Sequence, residues 1–163
     1  MTRQTLLMLA AATILASGCS PQPEARTPKA AGLDAMFEHD ALVIIANDGS
    51  RRDFDIYLAT NFEQQRRGLM FVRDLPERTG MLFVYDEEAT HSMWMKNTYI
   101  PLDIVFARRD GTISSVIRDA EPQSLRSLSS TEPVTFVLEL NAGVTRRYNI
   151  GAGSRLIWSP KTD

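Results

Sequence analysis

The sequence predicts a mainly β fold of the α+β type, most simply a compact, mostly antiparallel barrel-like or rolled sheet with one or two short helices. Apolar segments of strand length recur along the chain, and turn-forming residues separate them. In one segment Phe54, Ile56 and Leu58 occupy alternate positions, as expected for a strand with one buried face. About eight short strands with few helical signals are typical of a barrel or rolled sheet.

The first two strands are predicted to form a β-hairpin. An apolar run at residues 41–46 is followed by Asn-Asp-Gly-Ser at 47–50, residues that are typical of tight turns. The segment with alternating Phe54, Ile56 and Leu58 comes next. We predict a tight turn at 109–111 and a long Ser-rich loop at 122–133. The remaining predicted strands cover residues 81–85, 91–95, 102–107, 112–117, 134–140 and 155–158.

Two short helices are predicted. Thr60 and Glu63 have the spacing of a capping box, in which each side chain accepts a hydrogen bond from a free backbone N–H at the helix start. Gly68 suits the left-handed residue that ends such a helix. Asn141 is the candidate cap of a second helix that continues through Tyr148.

At the N-terminus, Arg3 is followed by an apolar segment at residues 6–16, and small residues precede Cys19, the only cysteine in the chain. This pattern resembles the N-terminus of a bacterial lipoprotein. Residues 1–18 are therefore predicted to be a signal peptide, although Ala16 stands where the lipobox usually has leucine and an ordinary cleaved signal peptide is the alternative. The resemblance implies lipidation of Cys19 and a place at the periplasmic side of a bacterial membrane. By resemblance to enterobacterial sorting, Ser20 suggests the outer membrane.

Residues 19–32 are predicted to be a tether, and residues 33–163 a single domain. The tether contains three prolines and no large apolar residue, so we expect a semi-rigid spacer that holds the domain off the bilayer. The apolar segment before Cys19 is shorter than the roughly 20 residues that a transmembrane helix needs.

Composition and motif content exclude several classes of function. The chain has 18 basic and 20 acidic residues, a net charge of −2, and the two signs are interleaved along the sequence. This distribution argues against a nucleic-acid partner, which would favour a basic patch or stripe. It lacks a Gly-x-Ser-x-Gly elbow, a phosphate-binding loop, a His-Glu-x-x-His motif and paired cysteines. We therefore predict no cofactor and lean away from an enzyme.

Polar residues beside apolar segments are the candidate ligand-binding residues. Lys96 and Asn97 lie in a predicted turn between two buried segments, where they could bind an anion. Alternatively, Asn97 bonds the turn backbone and Lys96 pairs with Asp103 or Glu139. Arg67, at the end of the first predicted helix, either interacts favourably with the helix dipole or reaches Glu139 or a ligand. The candidates are Arg67, Lys96, Asn97, Asp103 and Glu139.

Asp103 and Glu139 each interrupt an apolar strand. A carboxylate there is costly unless it is paired, lines a cleft or points outward to solvent. Two converging carboxylates could act as the acid and the base of a glycosidase-like hydrolase, which is the alternative function we consider.

His91, Met93 and Met95 are spaced by two and would share one face of a strand. Imidazole and thioether ligands suit Cu(I), so soft-metal binding is a second alternative. The competing interpretation is a methionine-rich core, because flexible thioethers fill irregular gaps between apolar side chains.

Five short motifs follow one another along the chain. They are Arg-Gly-Leu-Met at 67–70, Gly-Met-Leu-Phe at 80–83, Trp-Met-Lys-Asn-Thr at 94–98, Ile-Pro-Leu-Asp at 100–103 and Leu-Glu-Leu-Asn-Ala-Gly at 138–143. In this order they resemble the pattern of the bacterial and archaeal domain-of-unknown-function family 192. The resemblance covers residues 42–157, with Met93 where the family commonly has Phe. It implies a compact β-rich domain and no assigned catalytic residue.

Together these observations predict an exported, membrane-anchored binding or accessory domain of the cell envelope. Its expected partners are the membrane, through the lipid, and a small polar ligand, a glycan or an envelope protein.

Overall fold

The computed structural model describes residues 32–160, so Cys19, the predicted signal peptide and most of the tether lie outside the described residues. The strands are β1 (Glu38–Ile45), β2 (Arg51–Ala59), β3 (Thr79–Ala89), β4 (Ser92–Met93), β5 (Leu102–Ala107), β6 (Ile113–Ala120), β7 (Leu128–Ser129), β8 (Val134–Asn141) and β9 (Arg155–Ile157). The helices are α1 (Phe62–Arg67) and α2 (Val144–Arg147). Within the described range, no helix is long and apolar enough to cross a membrane.

Seven strands form one curled sheet, a half-barrel, in the order β6-β5-β8-β3-β2-β1-β9. Neighbouring strands are antiparallel except β2 and β3, which are parallel and joined by a crossover through α1. Strands β4 and β7 pair separately. The prediction of a mainly β, mostly antiparallel fold with short helices is confirmed, as is the β1–β2 hairpin.

The two edges of the sheet approach each other at one end. A bridge joins Thr112 to Arg155, and the amide of Leu156 donates to the carbonyl of Gly111 at 2.8 Å. The amide of Ile113 donates to the carbonyl of Ser154, also at 2.8 Å. These bonds occupy backbone groups that edge strands otherwise leave unpaired, and they hold the curl of the sheet.

The curled sheet buries apolar side chains on both faces. On one face, Ile113 of β6 and Leu156 of β9 belong to the same cluster although they come from opposite edges, which makes it the inner, concave face. On the other face, Met81, Phe83 and Ile104 are covered by connecting segments, which include Met93 and Leu128 of the small β4–β7 pair. We call these the inner and the outer face.

Several local predictions are wrong in detail. The cap of α1 is Asn61, whose side chain accepts from the amide of Gln64 at 3.0 Å, because the helix begins one residue later than the Thr60 capping box implied. Gly68 ends α1 as predicted, with φ 44°. Asn141 does not cap α2, which begins after Gly143.

Asn141 is instead the last residue of β8, and its amide donates to the carbonyls of Leu75 and Pro76. The strand predicted over 91–95 contains only the two residues of β4, and the loop predicted over 122–133 contributes β7.

The close approach of the two sheet edges predicts that replacing Gly111 destabilises the protein. A Cβ atom there would overlap the carbonyl oxygen of Leu156, and φ is +82°, in the left-handed region. We expect Gly111→Ala to lower the free energy of unfolding by about 3 kcal/mol or more, measured by urea denaturation. Gly49→Ala is the matched control, because φ is +77° there with open space around the Cβ position, and it should cost only about 1–2 kcal/mol. Equal losses in the two variants would contradict the close approach at Gly111.

Candidate functional site

A pocket of about 260 Å³ opens on the outer face of the sheet, between α1, the end of β3 and the segment that follows β4. Its walls include the apolar side chains of Leu69, Phe83 and Met93, which belong to the outer core. Gly68 also lines the pocket, and a Cβ atom at Gly68 would lie 3.2 Å from the ring of Phe83. The end of α1 therefore packs closely against β3.

Glu139 also lines this pocket. It lies in β8 between Met81 and Ile104 of the neighbouring strands and is only 4% exposed. Among the described residues, its carboxyl group makes no hydrogen bond or ion pair. Burial raises the pKa of Glu139 from its ordinary 4.5 to about 8, so the group is largely protonated at neutral pH.

Tyr85 lines the same pocket and adds a second neutral polar group. Burial, and after it the nearby carboxylate of Glu139, raises the pKa of Tyr85 to about 12. Its hydroxyl points toward the sulfur of Met93 at 3.9 Å, a weak contact. A neutral carboxylic acid and a neutral phenol thus lie in one pocket, beside the apolar side chains of its walls.

Arg67 is held in the pocket wall. It is the last residue of α1, its guanidinium donates to the carbonyl of Met70, and it lies 5.0 Å from the ring centre of Phe71. No ion pair joins Arg67 to Glu139 in the described part of the chain. The suggestion that Arg67 reaches Glu139 is therefore wrong, although both residues line the pocket.

A wider cleft of about 800 Å³ adjoins the pocket and contains Lys96 and Asn97. Pocket and cleft share Arg67 and Trp94 in their linings. The ammonium of Lys96 lies 5.1 Å from the ring centre of Trp94. Within residues 32–160, Lys96 forms no ion pair with Asp103 or Glu139. The predicted pairing of Lys96 with either carboxylate is therefore wrong.

Asn97 shapes the turn that separates the cleft from the core. Its backbone is left-handed, with φ 56°, and its carbonyl accepts from the amide of Phe71 at 2.8 Å. The side-chain amide faces the sulfur of Met70 at 3.9 Å. Asn97 thus contributes to the turn through its backbone, whereas its side chain makes no hydrogen bond to the turn backbone among the described residues, and it also lines the cleft.

Asp103 is not part of this site. One carboxylate oxygen accepts from the amide of Asp119 at 3.0 Å, and the other accepts from the amide and hydroxyl of Thr145 at 3.0 and 2.7 Å. Asp103 is completely buried and connects β5 to the start of α2. Its role in the structure is to hold these elements together.

Asp103 and Glu139 lie on opposite faces of the sheet. In the β5–β8 register, Asp103 is opposite Leu140, whereas Glu139 is opposite Ile104, and directly opposed residues point to the same side. Leu140 belongs to the inner cluster and Ile104 to the outer one. The paired-carboxylate hydrolase is therefore wrong, because the sheet separates the two groups.

His91, Met93 and Met95 do not lie along one strand, because β4 ends at Met93. Both methionines pack in the outer core, and the ring of His91 stacks on Tyr85 with centres 3.5 Å apart. Burial lowers the pKa of His91. The geometry favours the packing interpretation over soft-metal binding. No group of three or more His, Cys, Asp or Glu residues within 32–160 is placed to hold a metal ion.

Tyr85 and Trp94 line the pocket but are not among the candidate residues that the sequence predicts. The signal for Tyr85 was the alternation of Met81, Phe83 and Tyr85 in β3, which places all three on the outer face with Glu139. Trp94 belongs to the Trp-Met-Lys-Asn-Thr motif, whose sequence does not show that 47% of the Trp94 surface is exposed at the pocket.

Comparisons with known proteins give a family and a fold. Residues 43–158 match the family model DUF192, described as "Uncharacterized ACR". A Sinorhizobium meliloti protein described as a candidate transcription regulator is 40% identical, with a TM-score of 0.73 over 74% of this chain and 94% of that chain. A Novosphingobium aromaticivorans protein of unknown function is 32% identical, with a TM-score of 0.71 over 74% of this chain and 85% of that chain. No curated protein sequence matches this chain.

The burial of the Glu139 carboxyl group predicts how the free energy of unfolding changes with pH. Because its pKa rises on folding, the folded protein keeps this proton between about pH 4.5 and 8 where the unfolded chain has released it. Raising the pH across that window should lower the free energy of unfolding, by at most about 1.4 kcal/mol per pH unit. Glu139→Gln should remove this contribution, so its stability relative to wild type increases with pH.

The measurement is urea unfolding of wild type and Glu139→Gln at intervals from about pH 5 to 8. Glu121→Gln, the same change at an exposed site outside the pocket, should follow the wild-type slope. Parallel curves for wild type and Glu139→Gln would show that Glu139 titrates normally.

Proposed function

Because this chain belongs to domain-of-unknown-function family 192, whose name assigns no activity, its role has to be inferred from its own pocket, and we propose that it binds a small polar ligand at a bacterial membrane. The single observation that carries this proposal is the carboxyl of Glu139, buried, without a partner among the described residues, and lining a pocket. A buried polar group without a partner is destabilising. A ligand that bonds to it would offset this cost.

The pocket chemistry favours a neutral hydrogen-bonding group at Glu139. In its protonated form the carboxyl group both donates and accepts, which matches a hydroxyl or a carbonyl. Three cations, Arg66, Arg67 and Lys96, line the pocket or the adjoining cleft and disfavour a positively charged ligand. An exposed indole, Trp94, offers a flat apolar surface of the kind on which a sugar ring packs. We therefore favour a hydroxylated ligand such as a sugar or a cell-wall fragment.

The description of the Sinorhizobium meliloti protein as a candidate regulator suggests a different role. Nucleic-acid binding domains carry a basic patch or stripe, whereas this chain has a net charge of −2 with the two signs interleaved. The charge distribution of this chain therefore argues against a regulator that binds nucleic acid.

The membrane location in this proposal comes from the sequence. Cys19 follows an apolar segment of signal-peptide length and small residues, and residues 19–32 connect it to the domain. The acyl chains would hold the protein at the periplasmic side of the membrane, and Ser20 favours the outer membrane in this proposal. More than one acyl chain is needed for stable anchoring.

A ligand screen tests the pocket. We expect a hydroxylated ligand among sugars and cell-wall fragments to raise the melting temperature of the wild-type protein, by the equivalent of about 2.7 kcal/mol at 100 times its Kd. Trp94→Ala and Glu139→Gln should weaken that shift, whereas Glu121→Gln should preserve it. A ligand whose shift is the same in all four proteins binds elsewhere. If no compound in the screen shifts the wild type, the small-ligand proposal loses its support.

Acyl labelling tests the anchor. Cells that express the wild-type chain and are fed an alkyne fatty acid should label the protein, and the label should stay with the membrane fraction after a salt wash. Cys19→Ala should lose both the label and the salt-resistant membrane association. Label that persists in Cys19→Ala would disprove lipidation at this residue.

A further inference from the structure

Four large apolar side chains are exposed around the pocket and the cleft. Met36, Phe62, Phe71 and Trp94 are 50%, 73%, 52% and 47% exposed. Each of the four lines the pocket, the adjoining cleft or both. Exposed apolar side chains grouped around one opening indicate an interaction surface rather than ordinary surface variation.

The same surface is basic. Arg66 and Lys96 are exposed, and both line the cleft together with Arg67. The acidic side chain in the cleft lining is Glu63, which lies 3.6 Å from Arg66. Three cations face one carboxylate here, although the whole chain has a net charge of −2. The excess positive charge is therefore local to the exposed aromatic side chains.

The described chain also begins at this surface. Leu33 is buried in the outer core, and Ala35 and Met36 line the cleft. The carbonyl of Met36 accepts from the side-chain amide of Gln64, at 2.9 Å. The tether, residues 19–32, therefore joins the domain beside the aromatic and basic side chains.

We propose that this docking face, made by Met36, Phe62, Phe71 and Trp94 with Arg66 and Lys96, lies against an anionic lipid bilayer. Aromatic side chains favour the membrane interface, and lysine and arginine near a bilayer are attracted to anionic headgroups. The position at which the tether joins favours the bilayer over a protein partner, because it brings this face toward the membrane that holds Cys19. Contact with the bilayer replaces, in this proposal, the separation that the composition of the tether alone predicts. The proposal goes beyond the ligand-binding role and uses the lipid anchor only to orient the domain.

Fluorescence quenching by brominated lipids tests the docking face, because the chain has two tryptophans on different faces. Trp158 packs against the inner cluster and its indole N–H donates to Asp40 at 3.0 Å, whereas Trp94 is on the docking face. The full chain is reconstituted in vesicles of phosphatidylglycerol and phosphatidylethanolamine with brominated acyl chains. Trp158→Phe leaves Trp94 as the only fluorophore, and Trp94→Phe leaves Trp158.

We expect the bromines to quench Trp94 at least twofold and Trp158 much less. In the Trp158→Phe background, replacing both Phe62 and Phe71 with Ser, or both Arg66 and Lys96 with Glu, should remove most of that quenching. Ile157→Ser is the matched control, because it changes an exposed apolar residue of β9, outside the docking face, and should leave quenching unchanged.

Protein that remains on the vesicles with Trp94 unquenched would overturn the proposal and show that the tether holds the domain away from the bilayer. Quenching that survives both double substitutions would also overturn it. Neither outcome affects the Glu139 ligand screen, which is carried out without membranes.

Discussion

The seven-stranded sheet has two apolar faces, and its curvature can turn only one of them inward. The inner face is filled by side chains from every strand of the sheet, closed at one end by the bonds between Gly111 and Leu156. The outer face has to be covered by something else. The chain covers it with the segments that connect the strands, and the pocket lies among them.

This arrangement explains why one carboxylate is structural and the other is available. Asp103 points to the inner face, where Thr145 and the backbone use both of its oxygens. Glu139, on the adjacent strand, points to the outer face, where the covering segments leave an opening above it. Two residues that look equivalent in the sequence therefore differ because neighbouring register positions point to opposite sides of a strand.

The sequence predicted the features that depend on local chemistry. The hairpin turn at 47–50 and the end of α1 at Gly68 follow from turn and cap preferences that act over a few residues. The face to which Glu139 points depends on alternation within β8, but its lack of a partner depends on which segments cover it. The position of Lys96 over Trp94 and the bonds of Asp103 to Thr145 likewise depend on contacts between distant parts of the chain. Such contacts leave no local pattern.

The parallel pairing of β2 and β3 has a consequence for how relatives can diverge. Parallel neighbours need a connection of a dozen or more residues, and here that connection, residues 60–78, contains α1 and part of the pocket wall. The topology demands a long segment but sets little of its composition. Substitutions in that segment can therefore change what the pocket accepts while the hydrogen-bond ladder of the sheet stays the same, so family members that share this half-barrel need not share a ligand.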